Sequence, residues 1–154
     1  MLIFFPKGHV VEIDDADFPL ICGYRWNIHS VGKHSICTYA RASGSGPLMH
    51  RLLMGDPNGM VIDHKDRNGL NNRRENLRVC THSENIRNSR RVKRSETSPS
   101  KGVNKRLTKN GFKYQAMIRF SGKNYKLGDF DCLEDAIAAY KEGALRMHGE
   151  FAAF

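Results

Sequence analysis

The sequence has no apolar run approaching the ~20 residues that a membrane-spanning helix needs. Its opening segment, Met1 to Phe5, is apolar but short, and no positive residue precedes the apolar stretch, so a secretory leader is not expected. Cysteine is sparse: Cys22, Cys37, Cys80 and Cys132 lie far apart and form no Cys-x-x-Cys pair. That argues against a zinc knuckle and suits a reducing, cytoplasmic setting. No internal repeat is evident. Acid is scarce where base is plentiful, and that imbalance is the first functional signal.

Hydrophobic residues make up 40% of the 154-residue chain, enough for a folded core. The length allows one ordinary domain or two or three very small ones. The net charge is +9, from 25 basic and 16 acidic residues, and it is unevenly spread. Residues 1–50 hold 4 basic and 4 acidic, 51–94 hold 11 and 5, 95–126 hold 8 and 1, and 127–154 hold 2 and 6. Positive charge therefore runs from the middle of the chain to residue 126. A polyanion is the implied partner, nucleic acid by default; a merely solvated basic surface is the plain alternative.

Alternation over residues 2–13 predicts two strands around Pro6-Lys7-Gly8-His9. Residues 14–24 read as a short helix or turn, and 24–43 as a hairpin over Gly32-Lys33. Helical turns are expected around Leu48, Leu52 and Leu53, before the Asp56-Pro57-Asn58-Gly59 stop. Next come a strand at 61–64, a polar loop at 65–75 and a strand at 76–80. Thr81-His82-Ser83-Glu84 is a capping box, which predicts a helix from about Thr81 to about Arg90. A basic-to-polar stretch with a Ser-Pro break places a linker at 95–99. Beyond it, three strands are expected, with turns at Lys109-Asn110-Gly111 and Ser121-Gly122-Lys123. A helix follows from Asp131 to His148. Asp131-x-x-Glu134 should cap it, Leu133, Ile137, Tyr140 and Ala144 form its apolar stripe, and Gly149 follows its last turn. A basic sheet with an acidic helix behind it leaves one positive sheet face.

The stretch Ile62-Asp63-His64 followed by an Asn-rich loop is the chemically loaded one. Hydrolysing a phosphodiester needs a deprotonated water on one side of phosphorus and a cation at the anionic phosphate and leaving oxygen. A neutral imidazole, with an ordinary pKa of about 6.5, suits the first task. Carboxylate and amide oxygens suit a hard divalent cation for the second. Taken singly, an Asp-His pair is an ordinary surface pair, an early-helix Asn bonds backbone or water, and an Asn-rich loop is a turn. The conjunction points to catalysis only through the family resemblance it carries. Neighbours on a strand project to opposite faces, so a phosphate shared by Asp63 and His64 calls for a kink or bulge there. The strand should end at or just after His64.

Residues 49–88, "MHRLLM" and "VIDHKDRNGLNNRRENLRVCTHSENIRN", resemble the HNH endonucleases and their ββα-metal unit, most closely the homing-type phage and intron-encoded branch. The resemblance implies His64 as general base, Asp63 and Asn85 as metal ligands, and Asn76 as the residue tying loop and strand. One Mg²⁺ or Mn²⁺ per site is implied. Asn85 stands where the family name has a histidine, so the site should hold metal weakly until a DNA phosphate completes the shell. His82 is a fallback ligand on an expected solvent-facing position. His50 has a structural or supporting role, and Arg51 beside it can contact phosphate. His9, His29, His34 and His148 belong to no constellation. Of Arg73, Arg74, Arg78 and Arg87, one or two are expected near the scissile phosphate, with a solvated basic face as the alternative.

Residues 100–152 resemble the Apetala-type DNA-binding domain of plant ethylene-response factors and phage endonucleases, through "KGV", "LGDF", "EDAIAAY" and "HGEFA". That resemblance implies a three-stranded sheet laid in the DNA major groove. Lys101, Gly102, Arg106 and Arg119 match its DNA-contacting positions, and charge and strand position add Lys105, Lys113 and Lys126. Lys101 and Asn104 replace arginines of the plant pattern and Tyr114 replaces a common Trp, so plant sequence preference does not carry over. Tyr114 suits either sugar or base packing or the core. The N-terminal ~48 residues, with Tyr24-x-Trp26 and Tyr39-Ala40-Arg41, resemble the leader found ahead of this catalytic unit. They should form a β-rich layer, with Trp26 in the core and no main DNA-binding role.

The expectation is an α+β chain: a β-rich layer at 1–48, a ββα-metal nuclease unit at 49–94, a linker at 95–99, and a three-stranded antiparallel sheet packed on one helix at 100–154. It should be a metal-dependent DNA endonuclease acting on double-stranded DNA in the cytoplasm of a bacterial or phage-infected cell. No small-molecule cofactor is expected. Nicking or double-strand cleavage, and monomer or homodimer, stay open. The competing expectation is a non-catalytic DNA-binding regulator that keeps the HNH shape, and a weaker one is RNA binding.

Overall fold

Leu2–Phe4 (β1) folds back antiparallel on Val10–Glu12 (β2), and Ile3 faces Val11 across the pair. The computed structural model describes residues 1–31, 37–88, 97–109 and 111–154. It divides into two units, Met1–Asn85 and Ile86–Phe154. Helices and small antiparallel sheets make it α+β, as the sequence implied.

In the first unit a 3-10 turn at Asp15–Asp17 leads into a short helix, Phe18–Ile21 (α1). Trp26–Val31 (β3) and Cys37–Ala42 (β4) pair as a hairpin; its predicted Gly32-Lys33 turn and His34 lie outside the described residues. Met49–Met54 (α2) ends at Gly55, whose φ of 76° leaves the helical region. Val11, Ile13, Ile21, Ala40, Met49, Leu53 and Leu70 form the core. Trp26 packs against it and donates Nε1–H to the Ile21 carbonyl at 2.9 Å, a structural placement for its ring.

Val61–His64 (β5) and Leu77–Cys80 (β6) form a two-stranded ribbon, and His82–Asn88 (α3) follows. The capping box is present: Thr81 N–H donates to Glu84 Oε2 at 2.8 Å, and Glu84 N–H donates to Thr81 Oγ1 at 3.2 Å. The predicted helix end at Arg90, with residues 89–96, lies outside the described residues.

In the second unit Val103–Thr108 (β7), Gly111–Phe120 (β8) and Lys123–Phe130 (β9) form an antiparallel sheet, with Leu133–His148 (α4) packed on one face. Val103, Ala116, Ile118, Ala136, Tyr140 and Ala144 are its core, and Tyr114 packs against that core. The α4 cap differs from expectation by one residue. Cys132 is the N-cap, its Sγ accepting from Asp135 N–H at 3.4 Å, while Asp131 pairs with Lys113. Residues 97–99, read as linker, are tied to β7. Lys105 N–H donates to the Thr97 carbonyl at 2.8 Å, and Ser98 Oγ to the Val103 carbonyl at 3.1 Å.

Candidate active site

Ile62, Asp63 and His64 are all buried, so the end of β5 is covered on both sides. Buried polar groups need partners, and each of the two polar residues finds its own. Asp63 stands opposite Arg78 in the ladder, and Arg78 Nε and Nη2 donate to Asp63 Oδ2 at 3.0 and 2.8 Å. On the next rung His64 Nε2 lies 3.3 Å from Asn72 Oδ1.

Asn72 is fully buried and was not singled out from the sequence. Its Nδ2 donates to the Leu70 carbonyl at 3.2 Å, which turns its carbonyl oxygen toward the imidazole. An amide oxygen only accepts, so His64 carries its proton on Nε2 and presents Nδ1 as the basic nitrogen. The imidazole also packs into a ring cluster. Its centroid is 5.9 Å from Tyr39 and 4.9 Å from His50, which it meets edge-on. Burial lowers the His64 pKa below the ordinary histidine value, against opposing contributions from Asn72, Asp66 and Asp63. The ring is therefore neutral at neutral pH. His50 is pushed to about 3, by burial first and then by the charges of His64 and Arg51. Tyr39 is pushed up to about 12, mainly by burial, so its phenol stays protonated.

The Asn-rich loop is held by its own side chains. Asn76 Nδ2 donates to Asp66 Oδ1 at 3.0 Å and to the Asn71 carbonyl at 2.8 Å, while its Oδ1 accepts from Asp66 N–H at 3.1 Å. Asp66, also missed in the sequence, takes further bonds from Asn68 N–H and Asn71 Nδ2, each at 2.8 Å. Burial raises its pKa, but these bonds outweigh burial and the net shift is downward. β2 pins the loop from outside: Glu12 N–H bonds the Leu70 carbonyl at 2.9 Å and Asn72 N–H bonds the Glu12 carbonyl at 2.8 Å. Gly69 passes so close to β4 that a Cβ there would lie 2.4 Å from the Thr38 carbonyl oxygen and 2.5 Å from the Tyr39 ring. The loop is thus seated against the hairpin that supplies Tyr39.

One expectation is corrected. The strand ends at His64, but the ladder from Val61 to His64 is regular and continues to a Lys65 N–H bond with the Asn76 carbonyl at 2.9 Å. The expected kink is absent, and alternation turns Asp63 and His64 to opposite sides of the ribbon. Asp63 shares its side with Arg78 and Cys80. The charge of Asp63 still acts on both His64 and Tyr39.

The basic residues divide sharply. Arg74 is bound to Asp17, its Nε and Nη2 within 3.0 and 2.7 Å of Oδ1, and its N–H donates to Asp14. Arg73 pairs with Glu12 at 3.1 Å, and Arg78 is committed to Asp63. These three make ion pairs that tie elements of the fold together. Arg51 lies on exposed α2 surface, and the Arg87 guanidinium sits 5.9 Å from the Phe120 ring centre. In the second unit, Arg106, Lys113, Arg119 and Lys126 fall on the sheet face opposite the core residues Tyr114, Ala116 and Ile118. Lys105 pairs with Tyr114 in register, on the other face, and its Nζ lies 4.2 Å from the Phe112 ring centre. Gly102 has a packing reason for being glycine. Its φ is 69° and a Cβ would lie 2.0 Å from the Tyr140 ring. Lys101 Nζ donates to the Arg87 carbonyl at 2.7 Å.

For a divalent cation the available donors are oxygens. No group of three or more His, Cys, Asp or Glu able to hold a metal occurs among the described residues, and His82 is exposed. Asp63 and the half-buried Asn85 both neighbour Cys80: burial first and then the Asp63 charge raise its pKa, and the Asn85 N–H lies against its sulfur. One carboxylate with one amide fits a loosely held hard cation whose remaining positions are filled by phosphate oxygen and water.

Residues 55–87, which include this ribbon, its loop and most of α3, match the HNH endonuclease family model. The chain is similar to a mimivirus protein (Acanthamoeba polyphaga mimivirus) named as an uncharacterized HNH endonuclease. They are 29% identical over 154 residues, covering 96% of this chain and 75% of the relative. It is also similar to Protein 3.8 of Escherichia phage T7, 34% identical over 98 residues that cover 64% of this chain and 78% of that protein. No solved structure matches it significantly. With the matched segment folded as strand, Asn-rich loop, strand and helix, and with viral relatives spanning most of its length, the chain belongs to the HNH endonuclease family.

Proposed function

We propose that the chain is a metal-dependent endonuclease that hydrolyses a phosphodiester of double-stranded DNA with His64 as general base. The observation that carries the reading is the buried, neutral His64, whose Nε2 proton is directed at Asn72 Oδ1, which makes Nδ1 the basic nitrogen of the ring. Asn72, held by Leu70 and by β2, keeps that tautomer and orientation. Asn76 keeps the loop closed around it. Asp63 and Asn85 would hold a Mg²⁺ or Mn²⁺ ion, which supplies charge stabilisation at the phosphate and leaving oxygen. Because Asp63 and His64 project to opposite sides, the scissile phosphate belongs at the ribbon's end, which both residues flank on the last two rungs of β5. A cut in one strand per site follows, and a double-strand break needs a second site or a second visit.

The C-terminal sheet is proposed as the targeting element, through Arg106, Lys113, Arg119 and Lys126 on its open face, with Arg51, Arg87 and Lys101 as further backbone contacts. Arg106 and Lys113 stand directly opposite each other, with Lys113 also paired to Asp131 and Lys126 to Asp129, ion pairs that a phosphate would have to share or displace. The test is conversion of supercoiled plasmid to nicked circle by the purified chain. It should need Mg²⁺ or Mn²⁺ and stop on chelation.

A specific observation favours a second reading. Asp63 is already claimed by Arg78, and the regular ladder turns it away from His64. In a DNA-binding regulator that keeps the HNH shape, that ion pair would be purely structural. Tight duplex binding with no nicking in either metal would select it.

A further inference from the structure

The N-terminal segment carries as many acidic as basic residues, 4 of each over residues 1–50, which on sequence alone spoke against DNA contact there. The structure shows where those acids go. Glu12 pairs with Arg73, Asp17 takes the Arg74 fork, Asp14 accepts from the Arg74 N–H, and Asp15 pairs with the amino terminus. All four are spent on partners outside the β3–β4 hairpin, so the balance on paper does not neutralise the hairpin's own cations.

One of those cations is Arg41 on β4. Its Nε donates to the Gly46 carbonyl at 3.1 Å, which fixes the guanidinium plane, and its Nη groups have no partner among the described residues. Arg51, from α2, lines the same cleft of about 600 Å³, and its side chain makes no hydrogen bond or ion pair among the described residues. Tyr39 and His29 also line it, and Asp56 is its single acid. Tyr39 is the ring that packs on His64 at 5.9 Å, so the cleft adjoins the proposed base through one side chain. Two guanidinium groups with unspent N–H donors, beside a phenol held protonated, suit an anion presenting several oxygens.

We infer that this cleft binds a backbone phosphate of the DNA strand being cut, a neighbour of the scissile one, through Arg41 and Arg51. The inference rests on the endonuclease reading. It makes the N-terminal hairpin part of the substrate track, placing the strand while His64 acts on it.

The experiment is equilibrium binding of a short fluorescent duplex in EDTA, so that nothing is cut, over a range of salt concentrations. Arg41→Gln with Arg51→Gln should weaken binding about 10- to 100-fold at low salt, as expected for lost charge-assisted hydrogen bonds. The salt slope should shrink by about 0.9 per phosphate contact removed. Arg51→Gln alone breaks no bond of the fold and carries the test if the double variant melts early. Arg51→Lys should restore slope but not full affinity. An unchanged slope in both glutamine variants, or no duplex binding by the wild type, overturns the inference. Plasmid nicking by the wild type, measured separately, decides the endonuclease reading whatever the slopes show.

Discussion

The His50 ring meets the His64 ring edge-on at 4.9 Å, and both imidazoles are buried. Each has its pKa lowered, chiefly by burial, so the unfolded chain binds protons that the folded chain refuses. Stability is then full above the unfolded value of about 6.5 and is lost as pH falls below it. For His50 the loss continues toward its folded value of about 3. Thermal melts between pH 7 and pH 4 should show a falling melting temperature, and His50→Gln should flatten that fall. An unchanged slope in the variant would mean that His50 titrates normally.

Asp63 and Arg78 form a buried ion pair, so removing one partner strands the other. Arg78→Ala should destabilise the fold by about 3–5 kcal/mol. Adding Asp63→Ala to it should recover part of that loss. Urea unfolding of the four proteins gives the coupling directly, and additive losses would show that the pair is not coupled.

Asn72→Asp keeps the acceptor at His64 Nε2 and adds a negative charge. The carboxylate should raise the His64 pKa, moving the acid limb of the nicking-rate profile to higher pH. Asn72→Ala should lower the rate without that displacement. A profile identical to wild type in both variants would remove Asn72 from the account.

The two faces of the C-terminal sheet predict opposite outcomes for adjacent residues. Arg106→Ala should weaken duplex binding and reduce its salt dependence, while Lys105→Ala, on the helix side, should change neither. Equal effects in a mobility-shift titration would place the DNA elsewhere.

What the sequence disclosed was local. The Thr81–Glu84 capping box, the strand end at His64 and the α4 stripe depend on residues within a few positions of one another, and they are present. What it hid was mostly pairing at a distance. The Arg74 ion pair is an example: Asp17, its partner 57 residues away, belongs to a different element. Asn72 was indistinguishable from its asparagine neighbours until Leu70 and β2 fixed it under His64. The neutral charge of residues 1–50 concealed that its acids serve other segments. Lys105 is different: strand alternation from Val103 alone assigns its face, the one shared with Tyr114.

The central claim is that His64 takes the proton from the attacking water. The direct measurement is the single-turnover nicking rate of His64→Ala against wild type at saturating Mg²⁺ or Mn²⁺, with both proteins shown to be folded by circular dichroism. The account predicts a loss of about 10²- to 10⁴-fold, the usual scale for a positioned general base. A folded His64→Ala that nicks at close to the wild-type rate would contradict it.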